Sequence, residues 1–154
     1  MRINAFSDVS LRALMFLATL PDGELQTSRV IAEAVATPYS HVSKAVMRLR
    51  ELGLVESLRG RTGGVRISPV GRTATVGWLL RQLDTRDDVA DCETPHGDCP
   101  LSGGCGLRGG LRRAREAFYA ELDDLVIAAL PHIGFPAPVV LTLAPPPQRR
   151  ADRG

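Results

Sequence analysis

The stretch that decides the fold is residues 27–68, TSRVIAEAVATPYSHVSKAVMRLRELGLVESLRGRTGGVRIS. The pair Thr27-Ser28 can cap a short helix over residues 29–35, because a hydroxyl just before an apolar periodic run accepts from first-turn amides. A second helix is predicted to begin with Thr37 as N-cap and Pro38 as first helical residue, and to end at Gly53. Two short helices joined by a tight turn predict a helix-turn-helix.

Two short strands follow the second helix. Residues 54–58 and 65–68 are rich in Val, Leu and Ile, and residues 59–64, Arg-Gly-Arg-Thr-Gly-Gly, lie between them. The glycines of this turn are predicted to supply its positive φ angles. A helix-turn-helix followed by a basic hairpin is a winged helix. The expected fold is therefore mainly α with a small β-hairpin wing.

The polar side chains of the second helix and of the wing are the candidate DNA contacts. In a helix-turn-helix the second helix enters the major groove, and arginine in a wing suits phosphate or a narrow minor groove. Residues 1–70 carry nine Lys/Arg against six Asp/Glu. This charge hints at a polyanion partner, and the arginine-glycine wing and the absence of acidic residues between Thr37 and Arg50 favour double-stranded DNA over the alternative, a protein-binding winged helix. The candidates are Ser28, Thr37, Tyr39, Ser40, His41, Ser43, Lys44, Arg48, Arg59, Arg61 and Arg66.

Helices are predicted on both sides of this unit. Apolar residues over 6–20 recur at helical spacing, and Ser7 is available as the N-cap. Ser68-Pro69 opens a further helix that continues to about Thr85.

All three cysteines lie in residues 92–105, CETPHGDCPLSGGC, which are too rich in Gly, Pro and Asp for regular helix or strand. The chain shows no signal peptide and no apolar run long enough for a membrane, so a cytoplasmic, reducing setting is expected. Clustered thiols there suggest an iron-sulfur cluster or zinc, with redox-active thiols or plain loop cysteines as alternatives. A fourth ligand could be His96, which with the three cysteines would complete a zinc site, or a group from a distant segment or a second chain.

Catalysis is not expected. Of the three histidines only His96 lies near a cysteine, and no nucleophile motif surrounds any of them. The loop suits ligation better than a base and nucleophile pair, so the chain is not predicted to be an enzyme.

A long amphipathic helix is predicted after the cysteines. Apolar residues from Leu107 to Ala129 step by three and four residues in a nearly heptad-like stripe. The stripe favours a dimerisation helix, and an ordinary core helix is the alternative. The organisation expected is a DNA-binding domain over 1–85, a cysteine loop over 86–106, a dimerisation helix over 107–130 and a Pro-rich, irregular tail over 131–154.

Several of these segments together carry a family resemblance. They are MRINAFSD (1–8), TPYSHVSK (37–44), LGLV (52–55), RGRTGG (59–64) and three cysteines before a long helix. Over about residues 1–130 the chain resembles the NsrR/IscR-type winged-helix regulators that carry an iron-sulfur cluster. The resemblance implies a homodimer whose cluster is bound by Cys92, Cys99 and Cys105.

The fourth ligand distinguishes the branches of that family. IscR-like regulators with a [2Fe-2S] cluster use a histidine three residues after the third cysteine, where this chain has Arg108. The NsrR-like branch, which senses nitric oxide, can use an aspartate near the start of the first helix of the partner subunit, and Asp8 matches that place. The resemblance therefore implies a [4Fe-4S] cluster held by the three cysteines and Asp8, in a repressor of palindromic operators. Asp8 also lies four residues before Arg12, the spacing of a helical ion pair, and in the first turn, where a carboxylate favours the helix dipole.

Overall fold

Helices form most of the fold in the computed structural model, which describes residues 3–60, 62–84, 93–94, 97–101 and 105–131. The first is α1 (Ala5–Ala18). Its N-cap is Asn4, whose Oδ1 accepts from the Ser7 amide at 2.8 Å. The prediction of Ser7 as N-cap was wrong, because Asn4 lies three residues before a free first-turn amide and Ser7 is itself buried inside the helix.

The helix-turn-helix consists of α2 (Ser28–Ala34) and α3 (Tyr39–Glu51). Thr27 caps α2 as predicted, by accepting from the Val30 amide at 3.3 Å. Thr37 does not cap α3. Its hydroxyl donates to the Val35 carbonyl at 3.1 Å, and Pro38, with ψ of 136°, occupies the N-cap position.

Two residues with positive φ angles determine where the chain turns between α2 and α3 and where α3 ends. Ala36 has a φ of 50°, a left-handed conformation that reverses the chain between the two helices. Gly53 follows α3 with a φ of 73°, which glycine adopts without steric cost and which ends the helix as predicted.

The wing is an antiparallel hairpin of β1 (Val55–Leu58) and β2 (Gly64–Ile67), in which Val55 pairs with Ile67 and Leu58 with Gly64. Of the glycines in its turn only Gly60 has a positive φ. The prediction of a positive φ angle was therefore wrong for Gly63 and Gly64. A Cβ at Gly64 would lie 2.9 Å from the Gln26 carbonyl oxygen, because Gln26 forms an isolated antiparallel bridge with Val65.

The single helix predicted from Pro69 to about Thr85 is two helices, α4 (Pro69–Thr73) and α5 (Val76–Leu83). Ala74 between them is extended, with ψ of 137°. Its carbonyl accepts from the Ile127 amide at 2.9 Å, and Thr75 forms a bridge with Val126. The helix breaks because these backbone groups pair with a segment about fifty residues later in the chain.

The elements after α5 are short strands and one long helix. The strands β3 (Glu93–Thr94) and β4 (Gly97–Asp98) pair antiparallel, so the expectation of no strand in the cysteine segment was wrong at these four residues. Helix α6 (Gly106–Glu121) is shorter than the helix predicted over 107–130. A turn follows it, and then a 3-10 helix, η1 (Ile127–Ala129), so the apolar stripe does not continue along one helix. The Pro-rich tail lies outside the described residues from position 132 onward.

One hydrophobic core joins these elements. Its fully buried large side chains come from α1, α2, α3, α5 and η1 and from the residue before the wing: Leu14, Leu17, Ile31, Val42, Leu49, Leu54, Leu79 and Ile127. Burial of each stabilises the fold by about 2 kcal/mol. None of the helices in the described part of the chain has the length and apolarity to cross a membrane.

Candidate nucleic-acid interface and cysteine site

Helix α3 has one buried face and one exposed polar face. Val42, Ala45, Val46 and Leu49 are buried, as their spacing predicted. The opposite side presents Tyr39, Ser40, His41 and Lys44 to solvent. This exposed face offers hydroxyl, imidazole and ammonium groups to a major groove.

Arg29 and Tyr39 form a contact that the sequence did not reveal. The Arg29 guanidinium lies over the Tyr39 ring at 5.6 Å from its centroid, which joins the first turn of α2 to the first turn of α3. Both residues are exposed. Arg29 was absent from the candidate DNA contacts because its position beside the recognition helix depends on the packing of α2 against α3. The sequence signal that could have indicated Arg29 as a DNA contact is its position in the first turn of the predicted helix α2.

Two of the predicted DNA contacts form ion pairs with neighbouring carboxylates on the protein surface. Arg48 contacts Glu51 at 3.0 Å and donates to the Gln82 carbonyl at 3.4 Å, which links α3 to the end of α5. Arg66 contacts Glu56 across the wing at 2.8 Å. These guanidinium groups must exchange or share their carboxylate partners to meet a phosphate. Arg59 is exposed in the wing, and Arg61 lies outside the described residues.

The cysteine segment is described in part. Cys99 and Cys105 are free thiols of intermediate exposure, whereas Cys92 and His96 lie outside the described residues. Cys105 is the N-cap residue of α6, at a helix end where negative charge is favoured. Thiolates at this place suit iron or zinc, so the two cysteines that are described fit a metal or cluster. Within the described ranges no group of three or more His, Cys, Asp or Glu side chains converges as a metal site requires.

Asp8 lies on the first turn of α1 and forms the ion pair that its spacing predicted. Both of its carboxylate oxygens contact Arg12, at 3.0 and 3.1 Å, and 48% of its side chain is exposed. An exposed pair of this kind contributes at most about 1 kcal/mol. The carboxylate can therefore change partner at small cost. Arg108, in place of the IscR-type histidine, lies in the first turn of α6.

A helix-turn-helix, an antiparallel wing and a polar recognition face define a winged-helix DNA-binding regulator. The comparison with known families specifies which kind. Residues 3–132 match the Rrf2 family, described as an iron-dependent transcriptional regulator, and the chain belongs to that family. It is a transcriptional regulator and not an enzyme.

Named relatives agree with this assignment. The chain is 49% identical to the HTH-type transcriptional repressor NsrR of Streptomyces coelicolor A3(2) over 131 residues, which cover 84% of this chain and 88% of the relative. Two solved structures share the fold. Staphylococcus aureus CymR in its oxidized form has a TM-score of 0.60 at 22% identity, covering 83% of this chain and 94% of its own. T. potens IscR has a TM-score of 0.62 at 20% identity, covering 83% and 84%.

Proposed function

We propose that this regulator is a nitric oxide-sensitive repressor. It binds palindromic operator DNA as a homodimer while an iron-sulfur cluster of the [4Fe-4S] type is intact, and it releases the DNA when the cluster is nitrosylated. The setting is the cytoplasm, where thiols stay reduced.

The observation that carries the proposal is the 49% identity with a repressor named NsrR over most of both chains. The features that resemble the nitric oxide-sensing branch all lie within residues 3–132, the range that matches the Rrf2 family. They are three cysteines before α6, an aspartate on the first turn of α1 and Arg108 where the IscR-type histidine would stand. The match to a family of iron-dependent regulators supports iron over zinc.

In this proposal Cys92, Cys99 and Cys105 hold the cluster of one subunit, and Asp8 of the other subunit completes it. The donor set fits, because thiolates prefer iron and a carboxylate oxygen is an acceptable further ligand. When bound, the cluster would supply iron that reacts with nitric oxide. The half-exposed carboxylate of Asp8 exchanges Arg12 for the cluster without a buried charge being left unpaired.

The link from signal to DNA runs through α1. Asp8 lies on the same helix as the buried Leu14 and Leu17, and α1 packs against the recognition helix α3. A partner loop that holds Asp8 would thus fix the position of both winged helices relative to each other. Two recognition helices must match half-sites about one helical turn apart, roughly 34 Å. Release of Asp8 frees that spacing, and a few kcal/mol of differential affinity are enough to empty the operator.

The exposed face of α3 and the wing would then read the operator. In this proposal the side chains that contact bases in the major groove are those of Thr37, Tyr39, Ser40, His41, Ser43 and Lys44. The side chains that contact phosphates or the minor groove are those of Ser28, Arg48, Arg59, Arg61 and Arg66. Contacts of this kind would make the affinity steeply dependent on salt.

The decisive experiment is anaerobic purification followed by a nitric oxide titration. Visible absorption, iron and sulfide content and binding to a palindromic duplex are recorded on the same samples, with the Cys99→Ala variant as control. The proposal expects a brown protein with one broad visible band, and loss of that band in parallel with loss of DNA binding.

Other outcomes identify the alternatives. A reddish protein with several bands would point to a [2Fe-2S] redox or cluster-supply sensor. A colourless protein with zinc, or with thiols that form a disulfide reversibly, would overturn the cluster and leave only the DNA-binding regulator.

A further inference from the structure

Arg81 connects the winged helix to α6 through two carboxylates. From α5, its Nη1 and Nη2 donate to both oxygens of Asp123 at 2.6 and 2.9 Å. Its Nε and Nη2 donate to Glu116 Oε1 at 3.1 and 2.7 Å. The same guanidinium lies over the Tyr119 ring at 5.5 Å from the centroid. We call Arg81, Glu116 and Asp123 the Arg81 joint.

The joint is charged and partly shielded from water. Hydrogen bonds to Asp123 and Glu116 raise the pKa of Arg81 above its already high value, and the hydrogen bond from Arg81 lowers the pKa of Asp123. The Arg81 side chain is 28% exposed and Asp123 is 42% exposed. Arg81 and Asp123 are therefore ionised at neutral pH, and the two-pronged geometry restricts rotation of α6 about α5.

Backbone contacts reinforce the joint. The amides of Val76 and Gly77 donate to the carbonyls of Leu125 and Leu122 at 2.9 and 3.0 Å. Because the start of α5 is hydrogen-bonded to the turn after α6, α5 cannot slide along α6 without breaking these bonds. The connection thus resists both rotation, through side chains, and translation, through the backbone.

The joint lies beside the start of the cysteine segment, and the helix that it holds begins where that segment ends. Asp84, directly after α5, has an 8% exposed side chain and accepts from the Tyr119 hydroxyl of α6 at 2.5 Å. Cys105 directly precedes α6. The cysteine segment therefore follows α5 and precedes α6, the two helices that the Arg81 joint holds together.

We propose that Arg81 is a positioning residue that fixes the angle between the winged helix and α6, and so sets the operator half-site spacing that the dimer accepts. The inference rests on the homodimer of the proposed function, with α6 of each subunit in the dimer contact. In such a dimer α6 is the common frame, and α5 is the element of the winged helix that packs most extensively on α6. A change in the α5–α6 angle displaces the two recognition helices in opposite directions.

The alternative is that Arg81 only stabilises the fold. A purely stabilising residue would change the affinity for every duplex by the same factor. A positioning residue changes the ratio between duplexes of different spacing. The ratio is therefore the quantity that separates the two roles.

The experiment uses the full-length, cluster-loaded protein and a palindromic duplex that the wild type selects from random DNA. Affinities are measured for that spacing and for duplexes one and two base pairs longer or shorter, after sedimentation has established the oligomeric state. The variant is Arg81→Met, which keeps an apolar side chain of similar length and removes the guanidinium group. Arg72→Met is the matched control, because Arg72 pairs with Asp22 within the winged helix itself.

For the wild type and Arg72→Met we expect a wrong spacing to cost at least about tenfold in affinity, and for Arg81→Met the penalty should shrink severalfold. If Arg81→Met does not fold, Asp123→Asn and Glu116→Gln are measured in its place. Each weakens one of the two ion pairs of Arg81 and should give an intermediate penalty. An unchanged penalty in folded, dimeric variants overturns the inference and leaves the nitric oxide proposal intact. A monomeric wild type overturns both the homodimer and the inference. Loss of the nitric oxide response alone overturns only the proposed signal.

Discussion

Gly77 of α5 lies directly against Asp123, in the turn after α6. A Cβ added at Gly77 would lie 2.9 Å from the Asp123 amide nitrogen and would overlap the Tyr119 carbonyl oxygen. Backbone therefore meets backbone where α5 crosses the end of α6. This close approach explains a glycine in the second position of an amphipathic helix, where a side chain would otherwise raise helix propensity.

The substitution Gly77→Ala is expected to destabilise the protein by about 1–3 kcal/mol, because two of the three obstructing atoms are backbone atoms of Tyr119 and Asp123, which cannot rotate away. Thermal or denaturant unfolding measures the effect. Gly109→Ala, in α6 on the side opposite Leu107 and Leu111, is the matched control. The added Cβ would meet the end of the flexible Arg113 side chain at 3.5 Å, an ordinary contact, so this variant should be neutral or stabilising by up to about 1 kcal/mol. Equal stability of Gly77→Ala and Gly109→Ala would contradict the close approach.

The pH dependence of stability should report the Arg81 joint. The hydrogen bond from Arg81 lowers the pKa of Asp123 in the folded protein. A depressed carboxyl pKa stabilises the fold above the unfolded value, roughly 3.9, and the contribution is lost as pH falls through the folded value. The melting-temperature difference between wild type and Asp123→Asn should thus be constant near neutrality and shrink below about pH 4. A difference that persists at low pH would exclude ionisation of Asp123 as its source.

Local signals made most of the winged helix predictable. Thr27 before α2, Gly53 after α3 and the two short apolar runs on either side of the wing turn act within a few residues, so they can be recognised without the fold. The break at Ala74 and the end of α6 at Glu121 could not be read in this way. Both depend on pairing between segments about fifty residues apart, for which the apolar periodicity carries no information.

The candidate site was predictable to a similar extent. The sequence placed the polar face of α3 and the Asp8–Arg12 pair correctly. It did not indicate that Arg48 and Arg66 contact Glu51 and Glu56, since several rotamers of a long side chain are compatible with one spacing. The ligand role of the cysteines and of Asp8 stays a prediction.

Each of the substitutions Cys92→Ala, Cys99→Ala and Cys105→Ala should abolish the cluster, because loss of one thiolate leaves an incomplete ligand set. Iron and sulfide content per protein after anaerobic purification measures the effect. The winged helix should still fold, because Cys99 and Cys105 lie outside the buried core. Full iron and sulfide content in any one variant would remove that cysteine from the ligand set.

The substitution Asp8→Ala should leave the fold intact and shorten the lifetime of the cluster or uncouple it from DNA binding. The structural cost is small, at most about 1 kcal/mol, because the pair with Arg12 is half-exposed. Asp22→Ala is the control, since Asp22 also forms an ion pair with an arginine but lies in the turn beyond the C-terminal end of α1, at the opposite end from Asp8. Cluster decay is followed by absorbance in air, and DNA binding by fluorescence anisotropy. If Asp8→Ala matched Asp22→Ala in both, Asp8 would have no ligand role.

The stacked pair of Arg29 and Tyr39 should contribute to DNA binding. A guanidinium held over a ring at the start of the recognition helix is already ordered, so less conformational entropy is lost when it meets a phosphate. Arg29→Ala should weaken binding to all sequences and lower the slope of log affinity against log salt by about 1. Tyr39→Phe keeps the ring and should retain that slope, whereas Tyr39→Ala removes the support and should approach Arg29→Ala.

The control for this pair is Arg112→Ala, which removes the same charge from an exposed position on α6, outside the helix-turn-helix. A general effect of net charge would lower binding equally in Arg29→Ala and Arg112→Ala, and the slopes would then coincide. A phosphate contact by Arg29 instead separates the two variants at low salt and brings them together as salt screens the interaction. Anisotropy titrations over a range of salt concentrations distinguish these results, and coincident slopes would show that Arg29 does not touch the DNA.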